Sequence, residues 1–131
     1  AEAANLGWTT DVAATQYAAG ITLSFEQWKT PLPAGYLAQA DVALGTDNAK
    51  KIATQRYIAT FPDGSRAWDI TRKTGFPVLA IAPDAQNASK TIPNRYAYAT
   101  AEYVTNKESV TAAAALLPNG DTQESKVWWH R

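Results

Sequence analysis

The segment Asp11-Val-Ala-Ala-Thr-Gln-Tyr-Ala-Ala-Gly-Ile-Thr-Leu-Ser-Phe-Glu-Gln-Trp28 decides the fold class. Its apolar residues Ala14, Tyr17, Ala18, Ile21, Phe25 and Trp28 fall at offsets of 3, 4, 7, 11 and 14, the spacing of one helical face. Thr9-Thr10-Asp11 in front offers N-cap side chains, and Pro31-Leu-Pro33-Ala-Gly35 behind forbids continuation. Gly20 sits inside the pattern at a cost of about 1 kcal/mol relative to alanine, tolerable where a neighbouring helix must approach closely.

Downstream, a second helix is expected from about Asp47 to Phe61, capped by Thr46 or Asp47. Ala49, Ala53, Tyr57 and Phe61 form its i,i+4 row, flanked by Ile52 and Ile58, with Lys50, Lys51 and Arg56 on the wet side. Pro62-Asp63-Gly64-Ser65 turns the chain into a short helix over 65–74, which Gly75 ends in a left-handed C-cap and Pro77 stops. Residues 1–75 thus read as helical. From Phe76 the texture is loop-rich, with Pro77, Pro83 and Pro93 recurring. Val78–Ile81 and Ile92–Tyr98 are β-prone pieces, expected to be extended or to form a small ribbon. One helical stretch returns over 100–117, with a break expected near Asn106, and Pro118-Asn119-Gly120-Asp121 leads into Val127-Trp128-Trp129. Residues 1–131 are read as a single, mainly α unit, since 131 residues leave no room for a second independent core.

Composition removes several function classes. Twelve Lys+Arg balance twelve Asp+Glu, so no field gathers phosphates and nucleic-acid binding is disfavoured. Mean hydropathy is -0.31, and no run approaches the roughly 20 apolar residues of a membrane-spanning helix. With no cysteine and one histidine, His130, a His/Cys metal cluster is impossible, and a serine triad would need a residue beside the C-terminus. No metal or organic cofactor is implied. Asp69 and Glu102 are the carboxylates set among aromatics that a glycosidase reading would choose, and that chemistry needs the pair about 5 to 10 Å apart. Helix-face acids are the plainer reading of both, and an exposed terminal residue is the plainer reading of His130, so the sequence points to no catalytic residue. Asn87-Ala88-Ser89 matches a glycosylation pattern that is frequent by chance.

Five Trp, six Tyr and three Phe are the richest feature of this neutral chain. Aromatic faces stack on the C–H faces of sugar rings, which makes the composition compatible with glycan binding. Trp28, Tyr57, Phe61 and Trp68 nevertheless fall on apolar helical faces and read as core. The opening Ala1-Glu2-Ala3-Ala4-Asn5-Leu6 reads as helix already under way, without Met or an apolar leader, so the chain is expected to be a fragment or a processed product.

Four motifs in order carry a family resemblance. These are Ala19-Gly20-Ile21 with Ser24-Phe25-Glu26-Gln27-Trp28; Ala53-Thr-Gln-Arg-Tyr-Ile-Ala-Thr-Phe61-Pro62-Asp63-Gly64 with Ala67-Trp68 and Arg72-Lys-Thr-Gly-Phe-Pro77; Arg95-Tyr-Ala-Tyr98 with Glu102 and Asn106; and Gly120-Asp121 with Lys126-Val-Trp128-Trp129. Together they resemble the SusD/RagB family of outer-membrane glycan-binding lipoproteins, in its second, SusD-like branch. Ala97 and Ala99 stand where that family has prolines, and His130 where it has an acid.

The resemblance implies the C-terminal part of a longer protein with a tetratricopeptide-like helical fold and irregular Pro-rich loops. It further implies a lipid anchor on an upstream part, a place at the bacterial cell surface, oligosaccharide or polysaccharide as ligand, and a TonB-dependent, SusC-like transporter as partner. A non-enzymatic role in glycan capture follows, the rival being a helical scaffold that binds a protein partner and has no sugar site of its own. The matched motifs read as scaffold, with Gly75 as helix stop, Arg95 and Glu102 as packing or salt-bridge partners, and Trp128-Trp129 as a closing apolar clasp. Ligand-binding residues stay unassigned.

Overall fold

A computed structural model describes residues 1–87 and 89–130. The chain packs as two compact units, Ala1–Val78 and Leu79–Arg131.

In the first unit the order is α1 (Glu2–Asn5), α2 (Ala13–Gln27), a 3-10 turn (Tyr36–Ala38), α3 (Asn48–Ala59) and α4 (Gly64–Thr74). Helices α1, α2 and α3 pack against one another, and α4 packs on α3. The α2 stripe buries Tyr17 and Ile21, which meet Val42 and Ile52 in one apolar cluster. Phe25, Tyr36, Leu37 and Leu44 lean on it from the half-buried shell. Tyr17 carries a hydroxyl into this cluster, and its donation to the Val42 carbonyl at 2.9 Å satisfies the polar atom. Burial first, then the neighbouring Tyr36, pushes the Tyr17 phenol above its ordinary pKa.

Helix ends follow local chemistry in most places. The Asp63 carboxylate accepts from the Arg66 amide at 3.1 Å and starts α4. Gly75, at φ +74°, closes α4 by donating its amide to the Thr71 carbonyl at 2.7 Å. The start of α2 differs from expectation. Val12 is its N-cap and no side chain caps it, so the Thr9-Thr10-Asp11 cluster ends one residue short of the cap. Asp47 does hold the N-cap position of α3, but in the left-handed region and without a side-chain bond. The Asn48 side-chain oxygen Oδ1 instead accepts from the Gly45 backbone amide at 2.8 Å.

The buried face of α3 is Ile52 and Ala53, and the expected row through Ala49, Tyr57 and Phe61 is not the core. Phe61 lies two residues beyond the end of α3, outside the helical phase that placed it inward, and is 69% exposed. Trp28, at the C-cap of α2, is likewise exposed. Trp68 is half-buried.

The second unit holds α5 (Glu102–Thr105) and α6 (Lys107–Ala115), separated at Asn106, whose φ of -138° and ψ of 39° interrupt the helix. Val110 on α6 is buried. Among the described residues there is no strand, so the β-prone pieces form no ribbon. Val78 and Ile81 are exposed, without a partner strand. In the other piece the amides of Asn94 and Arg95 both donate to the single carbonyl of Gln123, at 2.8 and 3.3 Å, which is a crossing rather than a ladder. Side-chain bonds hold these loops instead. Ser125, fully buried, donates to the Gly120 carbonyl at 2.6 Å, and Asn94 donates to the Glu124 carbonyl at 2.9 Å.

Candidate functional site

Aromatic side chains left outside the core are the surface feature with the most evident binding chemistry. In the first unit, Gly7 at φ +73° turns the chain after α1, and Trp8 follows at 73% exposure beside Thr9, Thr10 and Asp11. Trp28 and Phe61, from the ends of α2 and α3, meet each other with ring centroids 5.8 Å apart, tilted by 54°. Trp68 carries the Arg72 guanidinium over its ring, 4.2 Å from the centroid. A groove of about 520 Å³ opens in the same unit among α1, α2 and α3, with Gly20, Phe25 and Ile58 among its walls. The Arg56–Glu2 ion pair stands at its rim, and the Lys73 ammonium lies 3.6 Å from the same Glu2 carboxylate.

The second unit is organised by an ion pair that the sequence reading assigned differently. Arg95, 8% exposed, pairs with Asp121 at 2.6 Å and not with Glu102. The chain returning after α6 delivers Asp121, whereas the Glu102 carboxylate accepts, one helical turn away, from the Asn106 side-chain Nδ2 at 3.2 Å. Asp121 also accepts from the Tyr98 backbone amide at 3.0 Å and the Tyr103 hydroxyl at 2.8 Å, and Arg95 donates to the Thr122 carbonyl at 3.2 Å. Burial pushes the Asp121 carboxyl up. The bonds from Arg95, Tyr98 and Tyr103, with the Arg95 charge, outweigh it and hold the group below its ordinary value. The bond to Asp121 is in turn the main cause that raises the Tyr103 phenol. Both Arg95 and Asp121 stand in quoted motifs, but nothing local to either names the other as partner.

A second polar cluster joins the loop at 87–91 to Glu124. Ser89 donates to the Glu124 carboxylate at 2.8 Å and Asn87 at 3.1 Å, and Ser89, the Glu124 backbone amide and Asn87 together lower the Glu124 carboxyl. The glycosylation pattern at 87–89 includes Ala88, which lies outside the described residues.

The carboxylates considered for catalysis are not brought into one described site. Asp69 is exposed on α4 and pairs with Arg72 at 2.7 Å, while Glu102 belongs to the other unit. His130 is half-buried rather than exposed and stacks on Trp129, with ring centroids 6.3 Å apart. Trp128 and Trp129 do not form a shared clasp. The Val127–His130 turn, closed by a 2.9 Å backbone bond, sends the adjacent rings apart, leaving Trp129 half-buried and Trp128 93% exposed. Among the described residues no three His, Asp or Glu side chains converge as metal ligands.

The model of a SusD-like family described as "Starch-binding associating with outer membrane" matches residues 1–99. This chain belongs to the SusD-like family. Among curated proteins, no sequence matches it. Solved structures agree with the assignment over nearly every residue. A Bacteroidetes SusD-like protein is similar at 26% identity and a TM-score of 0.84, covering 99% of this chain and 28% of its own. A SusD-like protein from Bacteroides thetaiotaomicron is similar at 28% identity and 0.82, with 98% and 34% covered. A chitin-binding SusD homolog from Flavobacterium johnsoniae is similar at 27% identity and 0.81, with 99% and 34% covered. The chain therefore has the all-helical SusD-like fold and spans about a third or less of the length of these relatives.

Proposed function

We propose that residues 1–131 form the C-terminal part of a cell-surface SusD-like protein that captures oligosaccharides without cleaving them. The observation that carries this reading is the likeness of 99% of the chain to a chitin-binding SusD homolog. Two further features support it. The family is described as starch-binding and outer-membrane-associated, and the chain is neutral with Trp8 and Trp128 turned to solvent. A sugar ring offers C–H faces that pack on an indole and hydroxyls that bond to Asn, Gln, Asp and Arg, so exposed indoles on a chain of zero net charge suit an uncharged glycan. No helix among the described residues is long and apolar enough to cross a membrane, and the proposed attachment is a lipid anchor on an upstream part of the protein. The proposed partner is a TonB-dependent, SusC-like transporter that takes the captured glycan inward.

Calorimetry on the full-length protein with chito- and malto-oligosaccharides tests the reading. Heat of binding with at least one series, with no new reducing ends after prolonged incubation, is expected. Absence of heat with every oligosaccharide, together with robust co-purification of the transporter, would overturn capture in favour of a scaffold role. Release of shorter sugars would overturn the non-enzymatic part.

A further inference from the structure

Gly20 lies in the middle of α2, where glycine is a poor helix former. A Cβ built at this position meets nothing within 4 Å, so no neighbour among the described residues explains the missing side chain. Gly20 faces the groove of about 520 Å³, and so do Gln16 and Ser24, one turn before and one turn after it. Residues spaced by four form the ridges that a second helix packs between, and a glycine at the centre lets the two backbones come close. The opposite wall, from α3, contributes Ile52, Ile58 and Ala59. Ile58 is half-exposed there. Polar groups are confined to a few positions, chiefly Gln16, Gln55 and the Glu2–Arg56 pair.

The apolar character of the walls fits aliphatic side chains better than a hydroxylated sugar. The buried core of the first unit is also small, with six apolar residues, Tyr17, Ile21, Val42, Ile52, Ala53 and Ile70, buried among those described. The solved relatives superpose on nearly the whole chain, which matches only 28% and 34% of their own length. Ala1 and Ala3 themselves line the groove, so polypeptide joined ahead of α1 would enter at its edge.

We infer that the groove over Gly20 is the seat of an apolar-faced helix of the same polypeptide, lying outside residues 1–131. This rests on the reading of the chain as the C-terminal part of a longer SusD-like protein. The seated helix crosses α2 at Gly20, covers Ile58 and Phe25, and directs its polar side toward Glu2 and Arg56.

Residues 1–131 contain no cysteine, so a thiol can be placed in the groove by Ser24→Cys, which changes one atom. In the full-length protein that thiol is expected to react with a soluble maleimide about 100-fold more slowly than a thiol at the exposed Lys50→Cys position, with protection lost in denaturant. Gly20→Leu in the same protein is expected to lower the thermal midpoint by about 5 °C or more, because the added side chain meets the seated helix. Labelling of Ser24→Cys as fast as the control overturns the inference, and so does a Gly20→Leu midpoint that is unchanged or raised. Protection that disappears on dilution identifies a second copy as the occupant, and protection that requires added oligosaccharide identifies a ligand; either overturns it. Calorimetry on the Ser24→Cys protein separates this inference from the functional reading. Glycan heat with a reactive thiol refutes only the groove assignment, and a protected thiol without glycan heat refutes only capture.

Discussion

Replacing Asp121 by alanine tests how far one ion pair organises the second unit. The substitution removes the acceptor for Arg95, the Tyr98 amide and the Tyr103 hydroxyl together, and leaves a guanidinium that is 8% exposed with the Thr122 carbonyl and the Tyr98 ring, 4.9 Å away, as its described contacts. Breaking a buried pair from one side typically costs about 3 to 5 kcal/mol. We take about 3 kcal/mol here, because water can enter the space left by a small carboxylate at the edge of a unit this size. At about 1.4 kcal/mol per factor of ten, that is roughly a 100-fold rise in the opening equilibrium of the loops.

The suitable reporters are the Asn94 and Arg95 amides, which bond to the Gln123 carbonyl and do not touch Asp121. Native-state hydrogen exchange should show both accelerating by about two orders of magnitude in Asp121→Ala, while amides of α3 in the first unit stay unchanged. The double variant Arg95→Met with Asp121→Leu should recover at least half of the loss, since both charges leave together. Acceleration of less than about threefold at Asn94 and Arg95, with only the Tyr98 amide affected, would refute the idea that the pair holds the loops. A double variant no better than the single one would refute the charge explanation.

Two further outcomes are expected. The native Asp121 carboxyl lies below its ordinary value of 3.8, so its contribution to stability is whole above that pH, shrinks below it, and is lost as pH falls through the depressed native value. Exchange at Asn94 and Arg95 should therefore be independent of this group from neutrality to about pH 5 once intrinsic rates are divided out, and should rise in stronger acid. Asp121→Asn should abolish that acid-dependent component, and its persistence would count against the assignment. At the end of α4, Gly75→Ala introduces a side chain at φ +74° with no steric neighbour, so the expected cost of about 1 kcal/mol is purely conformational and should appear as a lower denaturation midpoint. An unchanged midpoint would show that α4 does not depend on a left-handed cap.

Where reading the sequence succeeded and where it did not has a common cause. The corner over Pro62–Ser65 that opens α4, its end at Gly75 and the break at Asn106 each lie in residues and hydrogen bonds within about four positions of one another in the chain. The α2 stripe was equally legible, because Tyr17 and Ile21 share a helical face whatever packs on it. The ordered motifs carried the family as well, since they combine such local devices at characteristic separations. Burial of the aromatics was a different matter. Trp28 and Phe61 read as core from helical phase, yet both sit at or beyond the last residue of their helices and face outward. The partner of Arg95 lies 26 residues away in a loop, and no periodicity connects the two.

The sequence by itself therefore determined a mainly helical, cysteine-free chain of zero net charge, with its helix stops and its family, because those properties arise from composition and from hydrogen bonds that close within a turn. Only the tertiary structure decided which rings are solvent-facing, that Asp121 and not Glu102 neutralises Arg95, and that Gly20 faces an apolar-walled groove. Each of these depends on where distant segments come to rest, and the free energy of desolvating a ring or a charge is set by those neighbours rather than by the residue's own place in the chain.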